Sequence, residues 1–364
     1  MMNKKSSIQQ ECLDSVLPLK LSGAMLGTGS GKTLLGLKHM AHRYNDTALF
    51  LVVAPTLSIH NEWQMQAVEH GYEWLLPHIT FTTYISLAKQ ETYYDQVYAD
   101  ECHHFKLKHV AWLTYYNGKV FGMTGTYPTS KFSESYKVCS TYCPLSYTYT
   151  IEDGIDDGML NDYKIYIHLL ELEGHHKNYK PNYGGLTTEK DDYAMHNRKV
   201  NYAKPQRIAM ARIHRMKAIQ SYNTKVTYAK KLLAQQTTKT LVFTDYTKQA
   251  DLLCQHSYHS KNKNSQKNLD MFCKDELLSL SSVQQIAEGA NIPNLKTGII
   301  LHAYANEKKL AQKIGRFLRL NPNDSSTVHV LCYNNTVDLD WCKKALKSFD
   351  KNKIFKYNVN TNTT

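Results

Sequence analysis

Two clusters of residues in this chain have the types and spacing that phosphate chemistry needs. The first is Leu26-Gly27-Thr28-Gly29-Ser30-Gly31-Lys32-Thr33. The apolar run Ala24-Met25-Leu26 leads in, and Leu34-Leu35-Gly36-Leu37 follows. Strand, glycine-rich turn and helix in that order make a phosphate-binding loop. Glycines let the backbone bend tightly, so that successive N–H groups converge on one anion. The helix N-terminus adds the positive end of its dipole at the same place. Lys32 can then reach the β- and γ-phosphates of a nucleotide, and the Thr33 hydroxyl can hold Mg²⁺.

The second cluster is Asp100-Glu101, at the end of Gln96-Val97-Tyr98-Ala99. A carboxylate at the end of a buried strand can hold Mg²⁺ against phosphates. A second one beside it can orient and deprotonate a water. Asp-Glu pairs are common on surfaces, so the weight comes from the strand before it and the phosphate loop upstream. Cys102, His103 and His104 follow, but no second ligand pair stands at a workable spacing and a zinc centre is not expected. Toward the far end, Gln312-Lys313-Ile314-Gly315-Arg316-Phe317-Leu318-Arg319 sets Arg316 and Arg319 three apart, on one helix face. Two guanidinium groups aimed at one point make a phosphate clamp. Taken alone, the pair is more simply a solvated basic face.

The elements that must position these residues alternate. Strands are expected at 49–53, 79–83, 96–99 and 119–123, with helices between them. Polar residues gather just past the strand ends, at Ala54-Pro55-Thr56, Asp100-Glu101 and Thr124-Gly125-Thr126. Open α/β sheets bind ligands there. The second half repeats the pattern, with strands at 164–172, 240–243, 277–282, 298–302 and 328–331. Helices are expected at 8–17, 206–235, 307–320 and 339–349. Segment 174–205 is polar and reads as a surface insertion, and the Asn/Thr-rich end reads as a frayed tail.

The chain has 364 residues, enough for two or three domains with full cores. Its hydrophobic content is 42% and its charged content 21%, as in soluble globular proteins. A formal net charge of +12 suits a polyanionic partner. The scattered cysteines suit reduced thiols. Neither a signal peptide nor a membrane-spanning run is expected. No membrane association and a reducing, cytoplasmic location follow, the host's cytoplasm if the chain is phage-encoded.

Assembled, these residues resemble the motifs of superfamily 2 helicases and translocases of the DExH type, in order and across almost the whole chain. Gln10, or Gln9 beside it, stands where that family places an adenine-reading glutamine. Gly27 to Thr33 resembles motif I, although Leu26 replaces a small residue. Pro55 and Thr56 fall in a likeness of motif Ia, which touches the nucleic-acid backbone. Asp100-Glu101-Cys102-His103 resembles the motif II box. Thr124-Gly125-Thr126 resembles motif III, which couples hydrolysis to movement, although Tyr127 intervenes before Pro128. Leu241 to Thr244 resembles motif IV. Glu288-Gly289-Ala290-Asn291-Ile292-Pro293 resembles motif V, with Asn291 where many members have Asp. Gln312 to Arg319 resembles motif VI, which would make Arg316 and Arg319 arginine fingers with Gln312 facing the nucleotide. Asp157 to Tyr163 looks like phage helicases that remodel branched DNA, and Asn61-Glu62-Trp63 looks like remodeller-type translocases.

The resemblance implies two tandem RecA-like P-loop domains with parallel sheets. The first would span 1–147 and the second 164–353, with a linker at 148–163 and a tail at 354–364. ATP, with Mg²⁺, would lie in the cleft between them. The implied catalytic residues are Glu101, Gln312, Arg316 and Arg319. Gln10 and Leu26 to Thr33 would bind nucleotide, while Thr33 and Asp100 hold the metal. Pro55, Thr56 and Thr244 would touch nucleic acid, and His103, Thr124, Gly125, Thr126 and Gly289 would couple the two events. The implied activity is an ATP-driven nucleic-acid motor, on DNA, with specificity left to a protein partner or to the 174–205 insertion. The competing expectations are an RNA helicase, a nucleotide-gated clamp with negligible turnover, and a P-loop ATPase acting on protein.

Overall fold

The computed structural model describes residues 4–27, 30–177, 179, 184–283, 292–304, 310, 313–318 and 324–359, apart from the side chains at 316 and 348. The chain divides into two compact units, Met1–Asn161 and Asp162–Thr364.

The first unit opens with helix α1 (Lys4–Val16) and strand β1 (Leu21–Leu26), followed by α2 (Lys32–Arg43), β2 (Phe50–Ala54), α3 (Leu57–Glu69) and β3 (Ile79–Thr83). It continues through β4 (Gln96–Asp100), α4 (Val110–Tyr116), β5 (Lys119–Thr124), α5 (Glu134–Tyr142), β6 (Leu145–Tyr149) and α6 (Ile151–Asp156). The strands form one parallel sheet in the order β3-β2-β4-β5-β1-β6. Alternate residues of β2 face opposite sides. Phe50, Val52 and Ala54 meet α1, α2 and α3, whereas Leu51 and Val53 meet the cluster that includes α4 and α5. A sheet covered on both faces explains the unbroken apolar strands.

Of the expected linker, 148–163, residues 148–161 belong to this first unit. Tyr149 joins its core. The Thr150 hydroxyl accepts from Asp153 N while Asp153 accepts from Thr150 N, which starts α6.

The second unit begins with β7 (Asp162–Leu170), α7 (Glu189–Asn201), α8 (Pro205–Ser221) and α9 (Asn223–Ala234). Then come β8 (Thr240–Thr244), α10 (Thr247–Leu253), β9 (Ser257–Tyr258), α11 (Ser265–Cys273), β10 (Ser279–Val283) and β11 (Thr297–Ile300). Last are β12 (Ser325–Tyr333), α12 (Val337–Ala345) and β13 (Ile354–Asn358). Its sheet is also parallel, in the order β13-β7-β12-β11-β8-β10-β9. The expected insertion holds a helix, α7, and residues 354–358 of the expected tail pair with β7 as an edge strand. Among the described residues, no helix is long and apolar enough to cross a membrane.

Candidate functional site

The first unit brings three of the sequence clusters together because β4, β5 and β1 are neighbours in the sheet. Parallel strands about 4.8 Å apart deliver their C-terminal ends to one edge. Asp100 pairs in register with Met123, and Met25 with Thr124. The phosphate loop, the carboxylate pair and Thr124-Gly125-Thr126 therefore stand side by side.

The loop is pinned at both ends. Gly27 N donates to Tyr149 O at 2.9 Å, and Ser30 Oγ donates to Gly27 O at 2.8 Å. Gly31 begins α2 in the left-handed region, with φ 78° and ψ 47°. A Cβ there would also lie 2.7 Å from Gln9 Nε2, so only glycine fits. Thr28 and Gly29 lie outside the described residues.

Gln9, not Gln10, touches this loop. Gln9 is buried, donates to Ser30 O at 3.1 Å and Gly31 O at 3.3 Å, and accepts from Lys38 Nζ at 2.8 Å. Gln10 is exposed and bonds to Asp14. The reason is helical register. Gln9 shares the inner face of α1 with Cys12, Leu13 and Val16, a spacing visible in the sequence.

Lys32 Nζ lies 3.9 Å from Glu101 Oε1, and both side chains are mostly covered. Glu101 itself has φ 50° and ψ 54°, left-handed backbone that costs a non-glycine residue on the order of 1 kcal/mol. That twist follows directly on β4. The Thr124 hydroxyl donates to Glu101 Oε2 at 3.0 Å, Gly125 N donates to the same oxygen at 3.4 Å, and His103 Nδ1 lies 3.2 Å from it. His103 Nδ1 is also 2.8 Å from Thr124 Oγ1. Gly125 sits against Lys32, with a Cβ there 3.7 Å from Nζ. Burial pushes the Glu101 carboxyl up, but the Lys32 ammonium and bonds from His103 and Thr124 outweigh it and hold the group below its usual range.

Asp100 is the opposite case. Burial, and then the charge of Glu101, push it up to about 6, against smaller lowering effects from Trp63 and Lys32. Trp63 Nε1 donates to Asp100 Oδ2 at 2.9 Å, and the Tyr84 hydroxyl donates to Asp100 O at 2.8 Å. Neither contact is readable from sequence spacing, because α3 and the segment after β3 deliver these side chains across the sheet. Thr33 lies buried in the first turn of α2. Pro55 and Thr56 are half-buried past the end of β2, where Thr56 Oγ1 lies 2.8 Å from Ser58 Oγ.

The second unit holds the remaining candidates. Thr244, expected at a nucleic-acid surface, is fully buried, and its hydroxyl donates to Tyr246 O at 3.2 Å. It shapes the turn after β8 instead of presenting a hydroxyl to a ligand. Arg316 opens the 3₁₀ turn Arg316–Leu318, held by the buried Ile314, Phe317 and Leu318. Lys313 is buried over the Phe243 and Tyr304 rings and donates to the Tyr304 hydroxyl, which donates in turn to Asp245 at 2.7 Å. Gly289, Asn291, Gln312 and Arg319 lie outside the described residues.

Residues 224–321 match the helicase conserved C-terminal domain. Among solved structures, the ATP-dependent Type ISP restriction-modification enzyme LlaBIII bound to DNA is 13% identical, with a TM-score of 0.65 over 100% of this chain and 32% of that one. A putative HsdR subunit of a type I restriction enzyme from Vibrio vulnificus is 18% identical, at TM-score 0.63 over 98% of this chain and 67% of that one. The Hef helicase domain of Pyrococcus furiosus is 13% identical, at TM-score 0.50 over 94% and 98%. These likenesses show the fold, two tandem RecA-like α/β domains with parallel sheets. The chain spans about a third of the length of the first of them. No curated protein matches the chain.

Proposed function

We propose that the chain is an ATP-driven nucleic-acid motor of helicase superfamily 2, of the DExH type, acting on DNA. The observation that carries the reading is the meeting of Lys32, Glu101, His103 and Thr124 at the ends of β1, β4 and β5. The helicase domain match in the second unit supports it. The basic balance suits a polyanion, and LlaBIII, which shares the fold, is itself bound to DNA.

In this reading the loop amides and Lys32 bind the phosphates of ATP. Glu101, ionised at neutral pH, orients the attacking water and accepts its proton. Thr33 and Asp100 are the residues that would hold Mg²⁺. They fit, since Trp63 donates to Oδ2 of Asp100 and leaves Oδ1 to ligate a cation. A bound Mg²⁺ would screen the phosphate charge. Gln9 fixes the loop backbone, and so stands closer to the nucleotide site than Gln10. The bonds from Thr124 and Gly125 to Glu101 link hydrolysis to the Thr124–Thr126 turn, whose Thr126 N donates to Thr124 Oγ1 at 3.1 Å. Arg316 is assigned by resemblance to charge stabilisation in the transition state.

The test is steady-state ATP turnover with no nucleic acid, with duplex or branched DNA, and with duplex RNA. Stimulation by DNA is expected. Turnover indifferent to all of them would replace the motor by an ATPase acting on protein, and stimulation by RNA alone would make it an RNA helicase. Negligible turnover under every condition would leave a nucleotide-gated clamp.

A further inference from the structure

Helices α7 and α8 of the second unit form a hairpin that carries none of the motif residues. Its base is built with care. Glu189 is buried and accepts from Asn223 N at 2.8 Å, Thr224 N at 3.0 Å and Thr224 Oγ1 at 2.8 Å. The Tyr222 hydroxyl donates to the buried Asp192 at 2.8 Å, and Val337 N donates to the Tyr193 hydroxyl at 3.1 Å. Arg215 crosses from α8 to Asn197 of α7 at 2.6 Å. Buried polar groups satisfied as Glu189 and Asp192 are fix one geometry at the base.

The far end is different. In α8 only Ala218, Ile219 and Gln220 of the last turns are buried. The thirteen positions before them are exposed or half-buried, along about 20 Å of helix at 1.5 Å per residue. From Arg198 to Lys217 stand seven Lys and Arg residues and no Asp or Glu, against a net charge of +12 for the whole chain. A cleft of about 860 Å³ opens between the helices, lined by Lys199, Tyr202, Lys204, Arg207 and His214 among others. Lys199, Lys204 and Arg207 are exposed at its rim. Like charges crowded on a rigid support repel one another and are relieved by an anion. Tyr202 is the exposed ring at this tip, 86% accessible, and a single ring is too few for the stacked bases of a single-strand platform. Cations without a stacking ladder fit the evenly spaced phosphates of a duplex.

We propose that the α7–α8 hairpin is a docking surface for the phosphodiester backbone of duplex DNA, with Lys199, Lys204 and Arg207 as the groups that meet phosphates. The proposal rests on the reading of the chain as a nucleic-acid motor and adds a surface remote in sequence from its motifs. Its expected property is sequence-independent, salt-sensitive binding.

The test compares two triple variants of the full chain. Lys199→Gln/Lys204→Gln/Arg207→Gln neutralises the cleft rim. Lys261→Gln/Lys263→Gln/Lys267→Gln removes the same charge from another exposed stretch of the second unit. Affinity for a fluorescent duplex DNA is measured against salt, with thermal melting to confirm folding. The cleft triple is expected to weaken binding about tenfold or more and to lower the salt slope by roughly 0.9 for each phosphate left unneutralised. The second triple should shift affinity less than threefold. Equal shifts in both triples, or an unchanged cleft triple beside a DNA-binding wild type, would overturn the hairpin proposal alone. Cleft dependence seen only with duplex RNA would overturn the choice of DNA. A wild type that binds no nucleic acid would overturn the motor reading with it. If the cleft triple melts early, Lys204→Gln and Arg207→Gln are measured singly. Weakened binding in a stable single variant supports the proposal, and wild-type affinity in both overturns it.

Discussion

Gly36 in the first unit and Gly298 in the second each make room for an aromatic ring. A Cβ on Gly36 would lie 2.3 Å from Trp63 Cη2, and one on Gly298 would lie 2.3 Å from Phe317 Cζ. In the first unit the ring carries a polar handle, and Trp63 Nε1 holds the Asp100 carboxyl. In the second the ring has none, and Phe317 acts through the chain by fixing the turn that begins at Arg316. The same packing device thus acts in two ways, through a side-chain hydrogen bond to Asp100 and through the backbone turn Arg316–Leu318. The first unit surrounds its carboxylates with donors, whereas the second anchors its basic segment with apolar packing at Ile314, Phe317 and Leu318.

The largest effect that sharpens this comparison belongs to Arg316. Arg316→Ala should lower DNA-stimulated turnover about 10³–10⁵-fold with little change in ATP affinity. A loss below threefold at saturating DNA would return the segment to a solvated basic face. The glycines come next. Gly36→Ala and Gly298→Ala should each destabilise by about 1–3 kcal/mol in denaturant titrations, because the rings cannot move aside in a packed core. Gly36→Ala should also weaken Mg²⁺-dependent turnover through Trp63. Matching stability losses with no such difference would break the distinction between the two devices. The smallest effect concerns α1. Gln9→Ala should weaken ATP binding about fivefold, the worth of a hydrogen bond near 1 kcal/mol, while Gln10→Ala stays within about twofold. The reverse order would show that the bonding of Gln9 to the loop is incidental.

The phosphate loop, the carboxylate pair and the alternation of strands are legible in the sequence because each is local: a short run of residues carries its own chemistry and period. Other features are not. The register of α1 decides between Gln9 and Gln10, and it shows only when Cys12, Leu13 and Val16 are taken as the inner face. Helix α7 is hidden because two of its three buried residues, Glu189 and Asp192, are acids, so apolar periodicity cannot reveal it. The edge strands β6 and β13 bury little, with sequences Leu145-Ser146-Tyr147-Thr148-Tyr149 and Ile354-Phe355-Lys356-Tyr357-Asn358, and so resemble linker and tail. The likeness to motif IV points Thr244 toward a ligand surface, whereas its burial depends on the neighbours of β8 in the sheet.

The central claim is that Glu101, held ionised by Lys32, His103 and Thr124, takes the proton of the attacking water. The direct measurement is ATP turnover and ATP binding of purified Glu101→Gln beside the wild type, with saturating duplex DNA and Mg²⁺. The substitution keeps the shape of the side chain and removes its charge, so binding should persist while turnover falls about 10²–10⁴-fold. Turnover within threefold of wild type would contradict the assignment of Glu101 and, with it, the reading of this site.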